Sequence, residues 1–266
     1  MYETIYHRPS SVDEAAAFFA KGSESKYLAG GHTLIPVMKQ RLASPSDVID
    51  LGRIKELIGI EVSGDALTIK AATTHYDVAQ SETVQKAIPA LAHLASIIGD
   101  PAVRYRGTIG GSIANNDPAA DYPAAVLALG ASVKTNKRSI ASDDFFKGLF
   151  TTALADGEII TQVVFPIPAK AAYAKMRHPA SRFALTGVFV VKTKSGDVRA
   201  AATGASSSGV MRVPAIEAAL KANWSPGALD SVKISADGLL TDIHGSSVYR
   251  ANLIKVMAQR AVAEAG

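Results

Sequence analysis

The chain has 266 residues, of which 48% are apolar and 20% are charged, a composition that indicates a folded globular protein. It contains no cysteine, which excludes disulfides, thiol nucleophiles, and zinc or iron–sulfur clusters held by cysteines of this chain. The net charge of +4 is concentrated in the C-terminal part without long runs of Lys or Arg, so we expect no nucleic-acid interface.

The N-terminal part predicts a compact β–α–β–turn–β unit, with strands over 2–6, 26–29 and 47–51 and helices over 11–21 and 34–40. Ser11 is the expected N-cap of the first helix, and Glu14 is expected to complete a capping box with it. No apolar run reaches the length of a membrane span, and the N-terminus lacks the apolar region of a signal peptide. We therefore expect a cytoplasmic protein without a membrane span.

The next part predicts strands over 58–63, 66–72, 131–135 and 158–165, with helices over 76–80, 88–98 and 122–129. The segment Pro166-Ile167-Pro168, before an alanine-rich stretch, is the expected domain boundary. Beyond it, we predict a hairpin of strands over 183–193 and 198–204, and amphipathic helices over 215–221 and 247–264. The predicted domains are 1–168, with subdomains of about 1–55 and 56–168, and 169–266.

The chain contains two turns with adjacent glycines, and the first of them directly follows the predicted strand over 26–29. The first glycine turn, 29–34, reads Ala-Gly-Gly-His-Thr-Leu, and the second, 108–112, reads Thr-Ile-Gly-Gly-Ser. Neither is a Rossmann fingerprint or a P-loop, but both have the small residues that let a backbone lie against a phosphate. They predict a bulky pyrophosphate ligand held from two sides, and ordinary tight turns are the alternative.

Ala29-Gly30-Gly31-His32-Thr33-Leu34-Ile35-Pro36 and the segment 106–124, which contains Thr108-Ile109-Gly110-Gly111-Ser112, carry a family resemblance. They resemble the two flavin-binding motifs of the medium subunits of molybdenum hydroxylases, of the carbon monoxide dehydrogenase, aldehyde oxidoreductase and xanthine dehydrogenase type. The resemblance implies an α+β fold. An FAD-binding domain of the vanillyl-alcohol-oxidase or PCMH type, made of two α+β subdomains, is followed by a smaller C-terminal domain with an antiparallel sheet and helices.

The resemblance also implies noncovalent FAD on this chain and no catalytic or metal-binding residue. The two turns are expected to wrap the pyrophosphate, Asp121 to bind ribityl or adjacent hydroxyls, and Ile160 to pack on the flavin or the adenine. Lys175 is expected near the isoalloxazine carbonyls, and Phe183 on a loop that approaches the ring. Tyr105 departs from the polar residue, often Asn, expected before Arg-Gly-Thr. The complete expected site is Ala29, Gly30, Gly31, His32, Thr33, Leu34, Thr108, Ile109, Gly110, Gly111, Ser112, Asn115, Asp117, Asp121, Ile160, Lys175 and Phe183.

The function implied by this resemblance is electron transfer rather than substrate oxidation. A small partner subunit carries two [2Fe-2S] clusters, a large partner subunit carries the molybdenum cofactor, and the complex is expected to be a dimer of heterotrimers. Since this chain has no cysteine, clusters with cysteine ligands belong to another chain. Two alternatives stay open: a self-contained FAD-dependent oxidase or reductase, and an assembly module without a cofactor.

Overall fold

A computed structural model describes residues 1–265. The N-terminal part contains a three-stranded parallel sheet in the order β1-β3-β2, formed by β1 (Ile5–His7), β2 (Ser25–Leu28) and β3 (Asp47–Asp50). Helix α1 (Val12–Phe19) connects β1 to β2, and α2 (Leu34–Lys39) connects β2 to β3. The predicted unit is therefore present, although its first strand lies later than the predicted 2–6.

The N-terminus of α1 differs from the predicted capping box. The Ser11 hydroxyl accepts a hydrogen bond from the Glu14 amide at 3.2 Å, as expected for an N-cap. The Glu14 carboxylate, however, accepts from the amide of Ser10 at 2.7 Å and from its hydroxyl at 2.8 Å. The Glu14 side chain thus bonds Ser10, the residue before the N-cap, and not Ser11. The predicted partner of Glu14 was therefore wrong.

The middle part contains a five-stranded antiparallel sheet in the order β4-β5-β10-β6-β7. Its strands are β4 (Ile60–Ser63), β5 (Ala66–Lys70), β6 (Ser132–Thr135), β7 (Ser139–Ala141) and β10 (Ile160–Pro166). Its helices are α3 (His75–Gln80), α4 (Glu82–Ala87), α5 (Pro89–Ser96), α6 (Pro101–Arg106), α7 (Ile109–Asn115), α8 (Tyr122–Ala128) and α9 (Ser142–Phe145). A small hairpin pairs β8 (Phe146–Gly148) with β9 (Thr151–Thr152).

The C-terminal part contains an antiparallel sheet in the order β11-β12-β13-β14. Its elements are β11 (Lys170–Arg177), β12 (Ala184–Lys192), β13 (Val198–Thr203), β14 (Met211–Arg212), α10 (Pro214–Ala222) and α11 (Ser247–Ala265). The sequence analysis did not predict β11, because alanine has a low strand propensity and this strand is alanine-rich. Its pairing along the full length of β12 outweighs that local preference.

The apolar core continues across residue 168. Tyr173 and Phe189 of the C-terminal sheet belong to the same buried cluster as Phe165 and Tyr122. Arg199 of β13 donates to the carbonyls of Leu127 and Ala128 at the end of α8. The division into domains at 168 stays a prediction, and the two parts share one packed interior.

The second glycine turn lies inside a helix. The sequence analysis described 108–112 as a turn, whereas α7 begins at Ile109 and contains both glycines. Thr108 is the N-cap, and its hydroxyl accepts from the amide of Gly111 at 3.1 Å. Among residues 1–265, no helix is long and apolar enough to cross a membrane.

Candidate functional site

A cavity of about 850 Å³ lies between the first glycine turn, α7 and the loop 178–183 that connects β11 to β12. This volume is within the range of small-molecule sites. Most of the expected positions line it, and Ile109 and Lys175 do not. The expected residues on its wall are Ala29, Gly30, Gly31, His32, Thr33, Leu34, Thr108, Gly110, Gly111, Ser112, Asn115, Asp117, Asp121, Ile160 and Phe183.

The first glycine turn has five unbonded amides. Within residues 1–265, the N–H groups of positions 30–34 donate to no protein acceptor. Gly31 adopts φ +79°, a left-handed conformation that a side chain disfavours. A Cβ on Gly30 would lie 2.2 Å from the Arg106 carbonyl oxygen and 2.7 Å from the Cα of Gly107. The first turn therefore packs directly against the backbone before the second turn, and its amides stay available to a ligand.

The second glycine turn has four of its five amides in use. Ile109 donates to the Thr73 carbonyl, Gly110 to the Ala71 carbonyl, and the next two amides bond Thr108 through its hydroxyl and carbonyl. A Cβ on Gly110 would lie 2.6 Å from the Ala71 Cβ and 2.7 Å from its carbonyl oxygen. This turn contains glycine because α7 packs on the end of β5, and only the Thr108 amide is unbonded within residues 1–265.

The cavity wall carries few positive charges. Among the described residues, Lys26 is the one lysine or arginine on the wall, against the carboxylates of Asp117, Asp121 and Glu158. An anionic ligand in this cavity would therefore be held mainly by uncharged N–H and O–H donors, in the manner of a backbone nest.

Asp121 is at the centre of a buried polar cluster. Its carboxylate accepts from the Tyr173 hydroxyl at 2.6 Å and from Lys175 Nζ at 2.9 Å and 3.0 Å. The Asp121 and Lys175 side chains are 3% and 1% exposed. Burial raises the pKa of Asp121, and the hydrogen bonds and charge of its partners act against that rise. The cluster joins the loop before α8 to the C-terminal sheet.

Lys175 and Ile109 do not line the cavity. Lys175 Nζ also donates to the carbonyl of Arg182 at 3.1 Å, so it ties loop 178–183 to the buried cluster. Ile109 is fully buried in the core. Phe183 lies on the cavity wall with 48% of its surface exposed. The expected contacts of Lys175 and Ile109 with a cofactor stay predictions.

The sequence analysis did not assign three further wall residues to the site. His75 is 4% exposed, and burial lowers its pKa to about 3. Gly107 has no room for a Cβ, which would lie 2.5 Å from His75 Nε2. Glu158 forms an ion pair with Arg138 at 3.0 Å, and the hydrogen bond from that arginine is the main reason its pKa falls to about 2. Gly107 belongs to the segment 106–124, but no motif connects His75 or Glu158 with the glycine turns, and these two reach the cavity wall only in the fold.

Two other histidines are neighbours in the fold. His178 Nε2 lies 3.2 Å from His244 Nδ1, with the rings in a T-shaped arrangement. No group of three or more His, Asp or Glu side chains in residues 1–265 is arranged to hold a metal ion.

A family model described as the FAD binding domain in molybdopterin dehydrogenase matches residues 1–168. The chain is 34% identical over 275 residues to the carbon monoxide dehydrogenase medium chain of Afipia carboxidovorans, with 98% of this chain and 96% of that relative covered. It is 36% identical over 274 residues to the nicotine 6-hydroxylase medium subunit of Paenarthrobacter nicotinovorans, with 98% and 96% covered.

The fold is also similar to a solved structure of quinoline 2-oxidoreductase from Pseudomonas putida 86. The TM-score is 0.88 at 28% sequence identity, and the match covers 99% of this chain and 97% of that chain. The resemblance inferred from the two glycine motifs, and the α+β fold that it implied, are confirmed by these matches.

Proposed function

Because this chain belongs to the family of FAD-binding domains of molybdopterin dehydrogenases, we propose that it is the electron-transfer subunit of such an enzyme. It receives electrons from two [2Fe-2S] clusters of a small partner subunit and passes them to an external acceptor. A large partner subunit with the molybdenum cofactor oxidises the substrate, which is carbon monoxide, an aldehyde or an N-heterocycle. Bound flavin supplies one-electron and two-electron chemistry.

The cavity is the observation that carries this proposal, because its residues fit a noncovalent FAD. Five unbonded amides at positions 30–34 offer hydrogen bonds to a pyrophosphate in a wall with few positive charges. Gly31 provides the left-handed conformation of this cradle, and Gly30 lets it pack directly on the backbone of Arg106 and Gly107. The hydroxyls of Thr33 and Ser112 add further donors on the wall.

The remaining wall residues orient the rest of the cofactor in this proposal. Ile160, 6% exposed, offers an apolar surface for the adenine or the flavin. Asp121 keeps free acceptor capacity on its carboxylate for a ribityl hydroxyl, beside its bonds to Tyr173 and Lys175. Phe183, on loop 178–183, covers the ring and limits access of water.

The proposed assembly is a dimer of heterotrimers in the cytoplasm. The absence of cysteine supports the placement of the clusters on another chain. The two relatives are themselves named as a medium chain and a medium subunit, and they match almost the whole length of this chain. The basic C-terminal part contributes to partner docking in this proposal, and reversing several of its exposed charges would weaken assembly at low salt.

Two other functions are distinguishable from this one. A self-contained oxidase or reductase would turn over a small substrate without partner subunits. An assembly module would have the fold without the cofactor, and the five unbonded amides of the first turn argue against it. The cavity favours the flavoprotein, and the long match to medium subunits favours the complex.

The test is to express the chain with its native neighbours and to purify the complex and the isolated chain. We expect FAD absorption in both, with iron and molybdenum only in the complex. Mixing the reduced complex with an electron acceptor should reoxidise the flavin.

Each contrary outcome selects an alternative. Substrate turnover by the isolated chain would support the self-contained oxidase. A chain that purifies without flavin, and does not take up added FAD, would support the assembly module. A complex that contains FAD but neither iron nor molybdenum would reject the electron-transfer role.

A further inference from the structure

His75, the first residue of α3, lies where the two glycine turns meet. A Cβ on Gly30 of the first turn would lie 2.7 Å from the Cα of Gly107, and a Cβ on Gly107 would lie 2.5 Å from His75 Nε2. The three residues are therefore consecutive neighbours on the cavity wall. The His75 amide donates to the Gly107 carbonyl at 2.9 Å, which fixes the backbone of α3 against this junction.

One face of the His75 ring is enclosed. Its Nδ1 atom is fully buried and has no hydrogen-bond partner among residues 1–265, and the same is true of the Tyr122 hydroxyl. The two rings are 5.3 Å apart and tilted by 48°. Since Nδ1 is enclosed, Nε2 is the nitrogen that a group in the cavity can reach, and it too lacks a partner in the described chain.

The enclosure of Nδ1 also selects the tautomer. Burial disfavours the charged imidazolium, and the nearby His32 and Arg104 act in the same direction, so the ring is neutral. A buried N–H without an acceptor is less tolerated than a buried lone pair. The hydrogen is therefore on Nε2, and His75 presents an uncharged donor to the cavity.

The second-turn side of the wall has few unbonded donors. On the side of the second turn, four of the five amides of 108–112 are already bonded, and among the described residues Lys26 is the one lysine or arginine on the wall. Among the described residues of the second turn, the unbonded Thr108 amide and the Ser112 hydroxyl are the donors left for an anion held by the first turn. His75 Nε2–H adds to them an unpartnered donor where the two turns meet, on a side chain that is 4% exposed.

We propose that His75 is a phosphate-binding residue of the FAD site, and that its Nε2–H donates a hydrogen bond to a pyrophosphate oxygen of the bound cofactor. This inference rests on the proposed placement of the pyrophosphate at the first turn. It assigns the second side of the phosphate cradle to a side chain of α3, in place of the amides of the second turn.

The experiment compares FAD binding by the full chain with that of His75→Phe, which removes the donor, and His75→Gln, whose amide keeps one near the position of Nε2. Tyr122→Phe is the matched control, because it removes the neighbouring unpartnered hydroxyl and keeps His75. We expect His75→Phe to weaken FAD binding roughly tenfold or more, as for a hydrogen bond to a charged group. His75→Gln should recover most of the affinity, and Tyr122→Phe should bind within about twofold of the wild type.

A ³¹P spectrum of bound FAD separates this role from a structural one. His75→Phe should shift at least one pyrophosphate resonance, and Tyr122→Phe should leave both in place. In the wild type, the His75 Nε2 proton should move downfield when FAD is added, a measurement that requires no variant. Unchanged ³¹P shifts, an unmoved Nε2 proton, or equal FAD affinity in His75→Phe would overturn the inference. Failure of the wild type to bind FAD would instead overturn the proposed function.

Discussion

The two glycine turns have similar sequences, but they differ in how many of their backbone amides are hydrogen-bonded. In the first turn, the five amides of 30–34 donate to no acceptor within residues 1–265, and Gly31 takes the left-handed φ of +79°. In the second, four of five amides are bonded inside the fold, and Gly110 is in contact with the Ala71 backbone. A glycine pair therefore identifies a close backbone approach, but not whether the approaching group is a ligand or the protein itself.

This difference in amide hydrogen bonding indicates that the two turns have different roles. The first presents donors to the cavity, and the second fixes α7 against β5 and delivers the segment 115–121 to the cavity wall. Substitutions near the second turn should lower stability, whereas those in the first should lower cofactor affinity. Four changes test this contrast.

The largest effect is expected from Lys175→Met, which leaves the Asp121 carboxylate buried with Tyr173 as its remaining partner. Removing one member of a buried ion pair costs about 3–5 kcal/mol of unfolding free energy. Urea denaturation at neutral pH measures the loss. Lys194→Met is the control, because its pair with Asp65 is exposed and contributes at most about 1 kcal/mol. Equal losses in the two variants would show that the cluster does not hold the second-turn region.

The next effect is a pH dependence from His75. The unfolded chain binds a proton at this residue below about pH 6.5, and the folded chain does so only near its pKa of about 3. Stability should therefore fall as the pH decreases from about 6.5 towards 3, by at most about 1.4 kcal/mol per pH unit. His75→Phe should flatten the slope in acid titrations followed by circular dichroism. An unchanged slope would mean that other groups govern this window.

Gly110→Ala tests the packing task of the second turn. The new Cβ would meet backbone atoms of Ala71 that cannot move away as a flexible side chain can, so we expect a loss of roughly 1–3 kcal/mol in unfolding free energy. Gly111→Ala is the control, since its Cβ would meet only the Thr108 hydroxyl at 3.0 Å and the Ala29 Cβ at 3.6 Å. Thermal melts compare the stability of the two variants. Equal melting temperatures would contradict the packing role of Gly110.

Gly31→Ala should have the smallest effect on stability and a clear effect on FAD affinity. The left-handed φ costs an alanine about 1 kcal/mol, and the main clash is with the flexible end of Ile35. Gly64→Ala carries a similar cost at φ +56° with no atom within 4 Å, away from the cavity wall. Calorimetric titration with FAD should show weaker binding for Gly31→Ala alone. If both variants bind FAD equally well, the first turn is not the phosphate cradle.

Much of the fold was predictable because local sequence patterns indicate its helices and strands. The hairpin of β4 and β5, the strand β10, and the helices α8 and α11 were predicted from turn residues and periodicity close to their observed bounds. Two of the missed elements have weak local signals, since β11 is alanine-rich and α6 is a six-residue helix that begins at Pro101. Their conformations depend on partners distant in sequence, which local propensity does not contain.

The sequence by itself determined the family, the α+β fold and FAD as the cofactor, since two adjacent-glycine motifs at their spacing carry that resemblance. Only the tertiary structure decided which of the two turns has free amides, because that depends on whether Thr73 and Ala71 lie within reach of the backbone of α7. It also brought His75 to the junction of the turns and enclosed Lys175 with Asp121. Hydrogen-bond partners and burial are properties of the packed chain, so a motif alone does not contain them.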